Sequence, residues 1–479
     1  MDPTFESATS LTARLRKREI GCLELLDHYI ARVERLDKRV NAVVVRDFDR
    51  ARARARQLDS ATDRGAPLFG VPMTIKESFN VAGLPTTWGA PAYRDSIPTT
   101  NALAVDRFLN AGAVLFGKTN VPLMLADWQS YNEIYGTTNN PWNLALSPGG
   151  SSGGSAAALA AGLTGIEAGS DIGSSIRNPA HFCGVYGHKP TWGVCPPLGQ
   201  SLADNVAQAD ISVIGPLARS AADLAVALDV MAGPEPIDKG WKLDLPPPRA
   251  ASFKGLRAAV MLDHPLSEVD ASITNKLNEL VEFLRREGAS VSMRALPDFD
   301  LTLGHRLYIQ MLRATTSARI NAAAMQHWQA EAERLPPDDN TYYALMARGN
   351  TMSHRDFLIA NETRQRMRRA WARFFQNYDV FLCPIAGCAA QPHDQEGERW
   401  QRCVTVNGHR VLATDQMFWS GISCFYLLPA TAAPLGLTPD GLPFGVQIVA
   451  AQFDDRTTIE LAKLLETAWL GFVPPPGWE

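Results

Sequence analysis

Residues 148–155 read PGGSSGGS and run directly into the alanine-rich stretch 156–161. A flexible linker would not lead straight into a helix-forming segment, so we interpret residues 148–155 as a glycine loop at a helix N-terminus. Free N–H groups and small side chains in such a loop let a substrate approach the backbone. This stretch predicts a binding site built largely from main chain.

A second turn of small residues, GSDIGSSIRNP at 169–179, follows, and its Ser175 lies 24 residues after Ser151. The spacing predicts two loops that meet at one site, where backbone N–H groups converge on an anionic oxygen. Gly149-x-Ser151-x-Gly153 also fits the nucleophile elbow of α/β-hydrolases. That elbow follows a strand, whereas the preceding NPWNLALSP is rich in turn formers.

A candidate base precedes both loops. Lys76 follows the apolar segment Val71–Ile75, which we interpret as a buried strand. Lysine titrates near ~10.4 in water, and burial without a close anion lowers that pKa. The nine histidines lie in no recognisable catalytic motif, which leaves Lys76 as the candidate base.

Together these motifs resemble the hallmark of the amidase signature family, a GGSSGG loop followed by a DxGGSxR-type loop. They occur here as Gly149–Gly154 and Asp171–Arg177, downstream of Lys76. Other stretches that share the resemblance are GKTN (117–120), YGTTNNP (135–141) and GLPFGVQIVA (441–450). The resemblance covers nearly the full length and implies the family's fold.

Carried over to this chain, the resemblance implies that Ser175 is the acylating nucleophile and Lys76 the base. Ser151 matches the bridging serine, which the family holds on a cis peptide bond. The substrate- and oxyanion-binding positions match Leu125, through its main-chain carbonyl as in the fatty amide hydrolase subgroup, and the amides of Ile172, Gly173, Ser174 and Ser175. No metal or other cofactor is implied.

Two positions depart from the usual family pattern. Ser174 stands where most members have glycine, and Glu77-Ser78 stands where many have Asp. The second departure favours the fatty amide hydrolase and aryl acylamidase subgroup. For Ser174 we expect a negative φ, because serine rarely adopts positive φ.

Composition narrows the class of protein. The 479 residues include 50 acidic and 46 basic side chains, a formal charge of −4, which gives no electrostatic reason to expect nucleic acid binding. Seven scattered cysteines without a CxxC pair, and a start without an apolar signal segment, predict a cytoplasmic protein. The weakly polar stretch 156–165 is too short for a membrane span.

GAVLFGKT at 112–119 fits the P-loop expression, but its apolar centre favours a strand.

The apolar patterns predict an α/β fold, with one large twisted mixed sheet covered by helices on both faces. Predicted strands lie at 71–75, 113–116, 257–262, 379–384 and 444–450, and predicted helices at 22–57, 101–111, 271–287 and across 305–377. We expect a single domain over 1–479. Its regions are helical 1–64, a signature core 65–232, a Pro-rich connector 233–250 and the remainder 251–479, in which 305–377 forms the helical substrate pocket.

The resulting functional hypothesis is hydrolysis of a carboxylic amide, with an apolar acyl or aryl amide as the small-molecule substrate. Aromatic residues and methionines in 124–135, and six in 305–377, are candidate pocket residues. These six are Tyr308, Met311, Trp328, Tyr342, Tyr343 and Met346. Two alternatives stay open: the glutaminase subunit of a tRNA-dependent amidotransferase, and a non-catalytic binding protein on the same fold. A homodimer is possible.

Overall fold

The computed structural model describes residues 2–202, 205–238 and 240–479, and these contain fourteen α-helices and fifteen strands. The helices are α1 Ala8–Arg16, α2 Cys22–Val40, α3 Phe48–Asp59, α4 Leu103–Asn110, α5 Gly153–Ala160, α6 Arg177–Cys183, α7 Ala221–Met231, α8 Ala271–Arg286, α9 Leu301–Thr316, α10 Ala322–Arg334, α11 Tyr342–Asn350, α12 His354–Phe374, α13 Met417–Cys424 and α14 Asp455–Ala468. The strands are β1 Val43–Arg46, β2 Pro72–Lys76, β3 Val114–Thr119, β4 Tyr131–Asn132, β5 Gly136–Thr137, β6 Glu167–Asp171, β7 Tyr186–Lys189, β8 Val213–Ala218, β9 Arg257–Val260, β10 Ser290–Ser292, β11 Val380–Pro384, β12 Cys403–Val406, β13 His409–Leu412, β14 Ala430–Leu437 and β15 Pro443–Val449.

Eight strands form the central sheet in the order β10-β9-β11-β15-β14-β7-β8-β6. The β10, β9 and β11 neighbours pair in parallel, and the other pairs are antiparallel. Every residue of β6, β7, β8, β11 and β15 is buried, which requires cover on both faces of the sheet. The prediction of an α/β fold with a large mixed sheet is confirmed.

One hydrophobic cluster runs through the chain from Ala8 to Trp478, and it joins the N-terminal helices to the C-terminal elements. A continuous core of this kind is that of a single domain. The described part of 233–250 contains neither helix nor strand. The four regions proposed within the domain stay a prediction.

The predicted helix over 22–57 is wrong, because the chain forms α2, then β1, then α3. Asn41 ends α2 in the left-handed conformation at φ 55°. The β-branched residues that follow pair as β1 with β3 in an antiparallel ladder. The arginine-rich α3 buries Ala51, Ala55 and Leu58, so its arginines lie on the outer faces.

The other predicted elements correspond to observed ones within a few residues. The predicted strands match β2, β3, β9, β11 and β15, and the helices at 101–111 and 271–287 match α4 and α8. The region 305–377 forms the α9, α10, α11 and α12 helices. The P-loop-like letters fall mostly in β3, where Lys118 is buried and donates to the carbonyl of Pro85 and the hydroxyl of Thr86.

A three-stranded sheet, ordered β1-β3-β2, brings Lys76 to the site. A parallel bridge between Met73 and Ile166 connects β2 to the chain just before β6. Consequently β2 ends at Lys76 near the place where β6 ends at Asp171 and where α5 begins. The two Gly/Ser segments, hereafter the first loop (148–155) and the second loop (169–179), lie at these ends.

Candidate active site

Lys76 lies at the centre of the site with its side chain fully buried. Its Nζ donates to Oγ of Ser151 at 2.6 Å, and to Oγ of Ser152 and of Ser170 at 3.0 Å each. Ser151 and Ser152 belong to the first loop, and Ser170 belongs to the second. The two loops therefore meet at Lys76, as their spacing predicted.

The surroundings of Lys76 lower its pKa to about 7. Burial is the main cause, because a low-dielectric site disfavours the ammonium form, and the charge of Asp171 opposes it only in part. Among the described residues, no carboxylate lies within salt-bridge distance of Nζ. A lysine with this pKa is partly neutral at pH 7 and can accept a proton.

The first loop uses its amides to hold itself in place. The Gly150–Ser151 peptide bond is cis. The N–H of Gly153 donates to Ser130 Oγ at 3.1 Å, and that of Gly154 to the carbonyl of Asn120 at 3.3 Å. A Cβ at Gly154 would collide with the Asn120 backbone. The expectation of free N–H groups at these loop positions is therefore wrong, since the amides and the missing side chains serve packing.

The second loop is organised around a buried ion pair. Asp171 accepts from Nη2 of Arg177 at 2.9 Å and from its Nε at 3.0 Å, and both side chains are fully buried. Asp171 also accepts from the N–H of Ser174 at 2.8 Å and of Ile176 at 3.1 Å. Burial raises the pKa of Asp171, but the charge and hydrogen bonds of Arg177, together with Lys189 and the N–H of Ile176, lower it to about 2. The carboxylate thus stays charged and fixes the loop.

Ser174 has φ 71°, so the expected negative φ is wrong. The Asp171 carboxylate imposes this conformation by accepting the Ser174 N–H inside a tight turn. The Ser174 hydroxyl is buried without a hydrogen-bond partner among the described residues. Its N–H is also occupied, which removes one of the four amides that the sequence suggested for an oxyanion.

Three amides of the second loop stay available. Among the described residues, the N–H groups of Ile172, Gly173 and Ser175 have no acceptor. The Trp128 indole N–H donates to the carbonyl of Gly173 at 2.7 Å, and the Tyr308 hydroxyl donates to that of Ile172 at 3.0 Å. Because each peptide unit is planar, the contact to the Ile172 carbonyl also orients the N–H of Gly173, and the contact to the Gly173 carbonyl orients that of Ser174.

A cavity of about 250 Å³ opens onto these groups. Ser151, Ser175, Ile172 and Gly173 line it, and so does Leu125. Ser151 therefore lies between the cavity and the buried Lys76. The aromatic side chains of the lining are Trp88, Trp128, Tyr342 and Trp400.

A sequence model of the family described as Amidase matches residues 24–459. The chain belongs to the amidase family. It is accordingly an enzyme that hydrolyses amides, and its large mixed sheet with flanking helices is the amidase signature fold.

Three relatives illustrate the range of this family. The chain is 31% identical to an acylamidase of Rhodococcus erythropolis, over 96% of this chain and 94% of the relative. It is also 31% identical to human fatty-acid amide hydrolase 2, over 98% and 90%. The third, at 31% over 97% and 96%, is a subunit of the glutamyl-tRNA(Gln) amidotransferase of Anaeromyxobacter sp. (strain K). A solved bacterial aryl acylamidase has the same fold, with a TM-score of 0.81 at 24% identity over 98% of this chain and 97% of that one.

The aromatic prediction for this amidase holds only in part. Of the six candidates in 305–377, Tyr342 lines the cavity, and Tyr308 reaches the second loop through its hydroxyl. Met311 and Met346 are buried in the protein interior. The segment 124–135 contributes its first residues, Met124 through Trp128, to the lining.

Sequence reasoning missed several groups of this site. Ser152 and Ser170 contact Lys76, and only their positions inside the two loops could have indicated them. Arg313 and Arg399 line the cavity, although they are distant in sequence from both loops and from each other. No local pattern marks such arginines, because a charged residue on a helix usually faces solvent.

No group of three or more His, Cys, Asp or Glu side chains in the described ranges is placed to hold a metal ion. No described helix combines the length and the apolar character that crossing a bilayer requires.

Proposed function

We propose that this amidase cleaves its substrate through an acyl-enzyme on Ser175, with Ser151 and Lys76 as a proton relay. The observation that carries the proposal is the 2.6 Å contact between Lys76 Nζ and Ser151 Oγ, at a buried lysine with a pKa of about 7. A base of this pKa is half deprotonated at neutral pH, where a general base works best.

In the first step, neutral Lys76 takes the proton of Ser151 as Ser151 takes that of Ser175. The Ser175 oxygen then forms a bond to the amide carbonyl carbon. The carbonyl oxygen becomes an oxyanion, and the N–H groups of Ile172, Gly173 and Ser175 are its proposed donors. One such donor contributes roughly 3–4 kcal/mol in comparable sites.

The intermediate collapses when the C–N bond breaks and the departing nitrogen takes back a proton through Ser151 from Lys76. Water then attacks the acyl carbon and gives its proton to the same relay, and the Ser175 oxygen leaves with a proton. The products are a carboxylic acid and an amine, and the enzyme returns to its starting state. No redox partner is consumed.

An apolar acyl or aryl amide is the proposed substrate. The aromatic lining of Trp88, Trp128, Tyr342 and Trp400 supports it, because flat rings pack against aromatic walls. The relatives named acylamidase and fatty-acid amide hydrolase point the same way. Leu125, which lines the cavity, is the proposed main-chain contact for the substrate.

A glutaminase subunit of a tRNA-dependent amidotransferase is the second candidate, favoured by the 31% identity to an amidotransferase component. That role requires a partner protein, whereas a free-standing amidase acts alone. The intact Lys76, Ser151 and Ser175 and the enzymatic relatives argue against a non-catalytic binding protein. Homodimerisation and a cytoplasmic location stay predictions.

Covalent labelling tests the proposal. A fluorophosphonate probe is expected to modify the peptide that contains Ser175, and Ser175→Ala is expected to lose both this label and anilide hydrolysis. Ser174→Ala serves as the matched control, since its hydroxyl neighbours the nucleophile but has no partner among the described residues. Labelling that persists in Ser175→Ala would falsify the assignment of the nucleophile.

The choice of substrate distinguishes a free-standing amidase from the glutaminase candidate. The isolated chain is expected to hydrolyse a simple anilide and to leave free glutamine unchanged. Glutamine hydrolysis that appears only with a partner protein would instead identify the amidotransferase role.

A further inference from the structure

Three arginines line the cavity in addition to its aromatic residues. Arg313 lies on α9, Arg319 lies in the short turn after α9, and Arg399 begins another short turn at 399–401. Among the described residues, none of the three has a carboxylate within salt-bridge distance. Arg319 is exposed, whereas Arg313 and Arg399 are each partly buried. Most arginines of a folded protein lie at the surface or are paired, so two unpaired and partly buried arginines in one cavity are unusual.

The negative charge in the described lining of the cavity already has an arginine partner. Asp127 is the one carboxylate among the described lining residues, and it accepts from Nη1 of Arg402 at 2.6 Å. Arg402 pairs with this carboxylate, which also acts on Arg399, though less strongly than Arg313 does. The three lining arginines therefore exceed the negative charge of the described lining. The described wall of the cavity is positive.

Two of these arginines influence each other directly. The pKa of Arg399 is lowered, first by burial and next by the charge of Arg313. Like charges that share a partly dehydrated space raise the free energy of the empty site, and a bound anion offsets that cost.

Arg313 is fixed in place and has a donor available for such an anion. Its Nη2 donates to the hydroxyl of Tyr342, and its guanidinium lies 5.3 Å from the centre of the Tyr342 ring. Its Nε is buried without an acceptor among the described residues. A guanidinium fixed by one contact, with other donors unused, is suited to binding a carboxylate.

We infer that the amide substrate carries a separate carboxylate, which Arg313 and Arg399 bind, and that it carries no ammonium group. This inference rests on the proposed function, because it assigns a ligand to the same cavity. The absence of an ammonium follows from Asp127, whose charge Arg402 takes up. A zwitterionic amino acid such as glutamine would place its ammonium in a positive environment. The aromatic walls then hold the apolar part between the carboxylate and the scissile amide.

Matched anilides test the inference on the full chain. One arm compares the 4-nitroanilides of butanoic and hexanoic acids with the mono-4-nitroanilides of succinic and adipic acids, which differ by a carboxylate on the acyl side. A second arm compares acetanilide with 4-acetamidobenzoate, which carries the carboxylate on the amine side. γ-Glutamyl-4-nitroanilide supplies the zwitterion.

In one of the two arms, we expect the anionic member to have a kcat/KM at least about tenfold above its neutral counterpart, since hydrogen bonds between a guanidinium and a carboxylate are among the strong ones. Salt should reduce this preference, because it screens the attraction. Arg313→Gln and Arg399→Gln should each bring the anionic-to-neutral ratio of kcat/KM towards one, mainly through KM. Arg366→Gln, an exposed arginine of α12 that pairs with Glu362, is the matched control and should leave the ratio unchanged.

The possible outcomes distinguish failure of the carboxylate inference from failure of the proposed function. Equal kcat/KM for anionic and neutral members in both arms, with turnover present, overturns the carboxylate inference and leaves the amidase mechanism standing. A kcat/KM for γ-glutamyl-4-nitroanilide above those of the succinic and adipic mono-4-nitroanilides overturns the exclusion of an ammonium group. If none of these compounds is hydrolysed, both the proposed function and the inference are overturned. Salt dependence of the wild-type preference provides the answer even where an arginine variant does not fold.

Discussion

The hydroxyl of Tyr308 on α9 donates to the carbonyl oxygen of Ile172 in the second loop across 3.0 Å. That carbonyl shares its peptide plane with the N–H of Gly173, one of the three amides that are free, among the described residues, to face an oxyanion. Tyr308 is fully buried, so its position is set by the packing of α9. A helix far along the chain thereby orients a donor of the site. Tyr308 is a positioning residue in this arrangement.

Tyr308→Phe is expected to lower kcat by about tenfold, with little change in KM. The variant leaves the Ile172 carbonyl without its donor, at a cost of roughly 1–3 kcal/mol, and frees the peptide plane to rotate. Steady-state kinetics on an anilide provide the measurement. Tyr343→Phe is the control, because the Tyr343 hydroxyl donates to Glu331 at 2.9 Å away from the loops. An unchanged kcat in Tyr308→Phe would contradict the positioning role.

The activity is expected to rise with pH through an apparent pKa of about 7, because only neutral Lys76 accepts a proton. Lys76→Ala should lose activity by orders of magnitude and lack this rise. The measurement is kcat/KM against pH for both proteins. If Lys76→Ala kept the wild-type profile, a different group would be the one that titrates.

The same pKa shift affects stability. In the folded chain Lys76 has a pKa of about 7, against 10.5 for an ordinary lysine, so the unfolded chain binds more protons between these values. The free energy of unfolding contributed by Lys76 therefore rises as pH rises from about 7 towards 10. Lys76→Met lacks this contribution, and its stability relative to wild type should fall over that interval. Urea denaturation at several pH values measures the difference, and a constant difference would argue against a depressed lysine pKa.

Ser174→Gly is expected to stabilise the protein by about 1 kcal/mol, because glycine adopts φ 71° without the steric cost that serine bears. The hydrogen bond from its N–H to Asp171 is a main-chain contact and should persist. Urea denaturation is the measurement, and activity should remain. Ser174→Ala separates the causes: it removes the unpaired hydroxyl but keeps the positive φ, so it should be less stable than Ser174→Gly.

Asp171→Asn is expected to destabilise the protein by about 3–5 kcal/mol, since it leaves the buried Arg177 without its counter-charge. The effect should depend on pH. The pKa of Asp171 is about 2 in the folded protein and 3.8 ordinarily, so the ion pair stabilises fully above about pH 4 and is lost as pH falls towards 2.

The gap between wild type and Asp171→Asn should therefore narrow in acid, as denaturant titrations at neutral and acidic pH would reveal. Asp229→Asn is the matched control, because Asp229 pairs with Arg456 at the surface. Surface pairs contribute about 0–1 kcal/mol, so this variant should remain close to wild type. A similar loss in both variants would contradict the special role of the Asp171–Arg177 pair.

The sequence alone determined the local elements of this protein. The two Gly/Ser loops, the strand that ends at Lys76 and the helix that begins within the first loop are encoded by short contiguous patterns, so their existence and spacing were predictable. The meeting of the loops also followed from spacing, since two small-residue turns this close in the chain are restricted in where they can lie.

Only the tertiary structure decided what each group does in its place. Asp171 accepts a hydrogen bond from the Ser174 N–H and holds this residue at positive φ. The carbonyl of Asn120 accepts from an amide of the first loop. Pairing with β3 makes residues 43–46 a strand, where the sequence predicted a helix. Arg313 and Arg399 reach one cavity from distant parts of the chain. Hydrogen bonds, burial and charge act between neighbours in space, and the low pKa of Lys76 arises because several remote segments together exclude water from it.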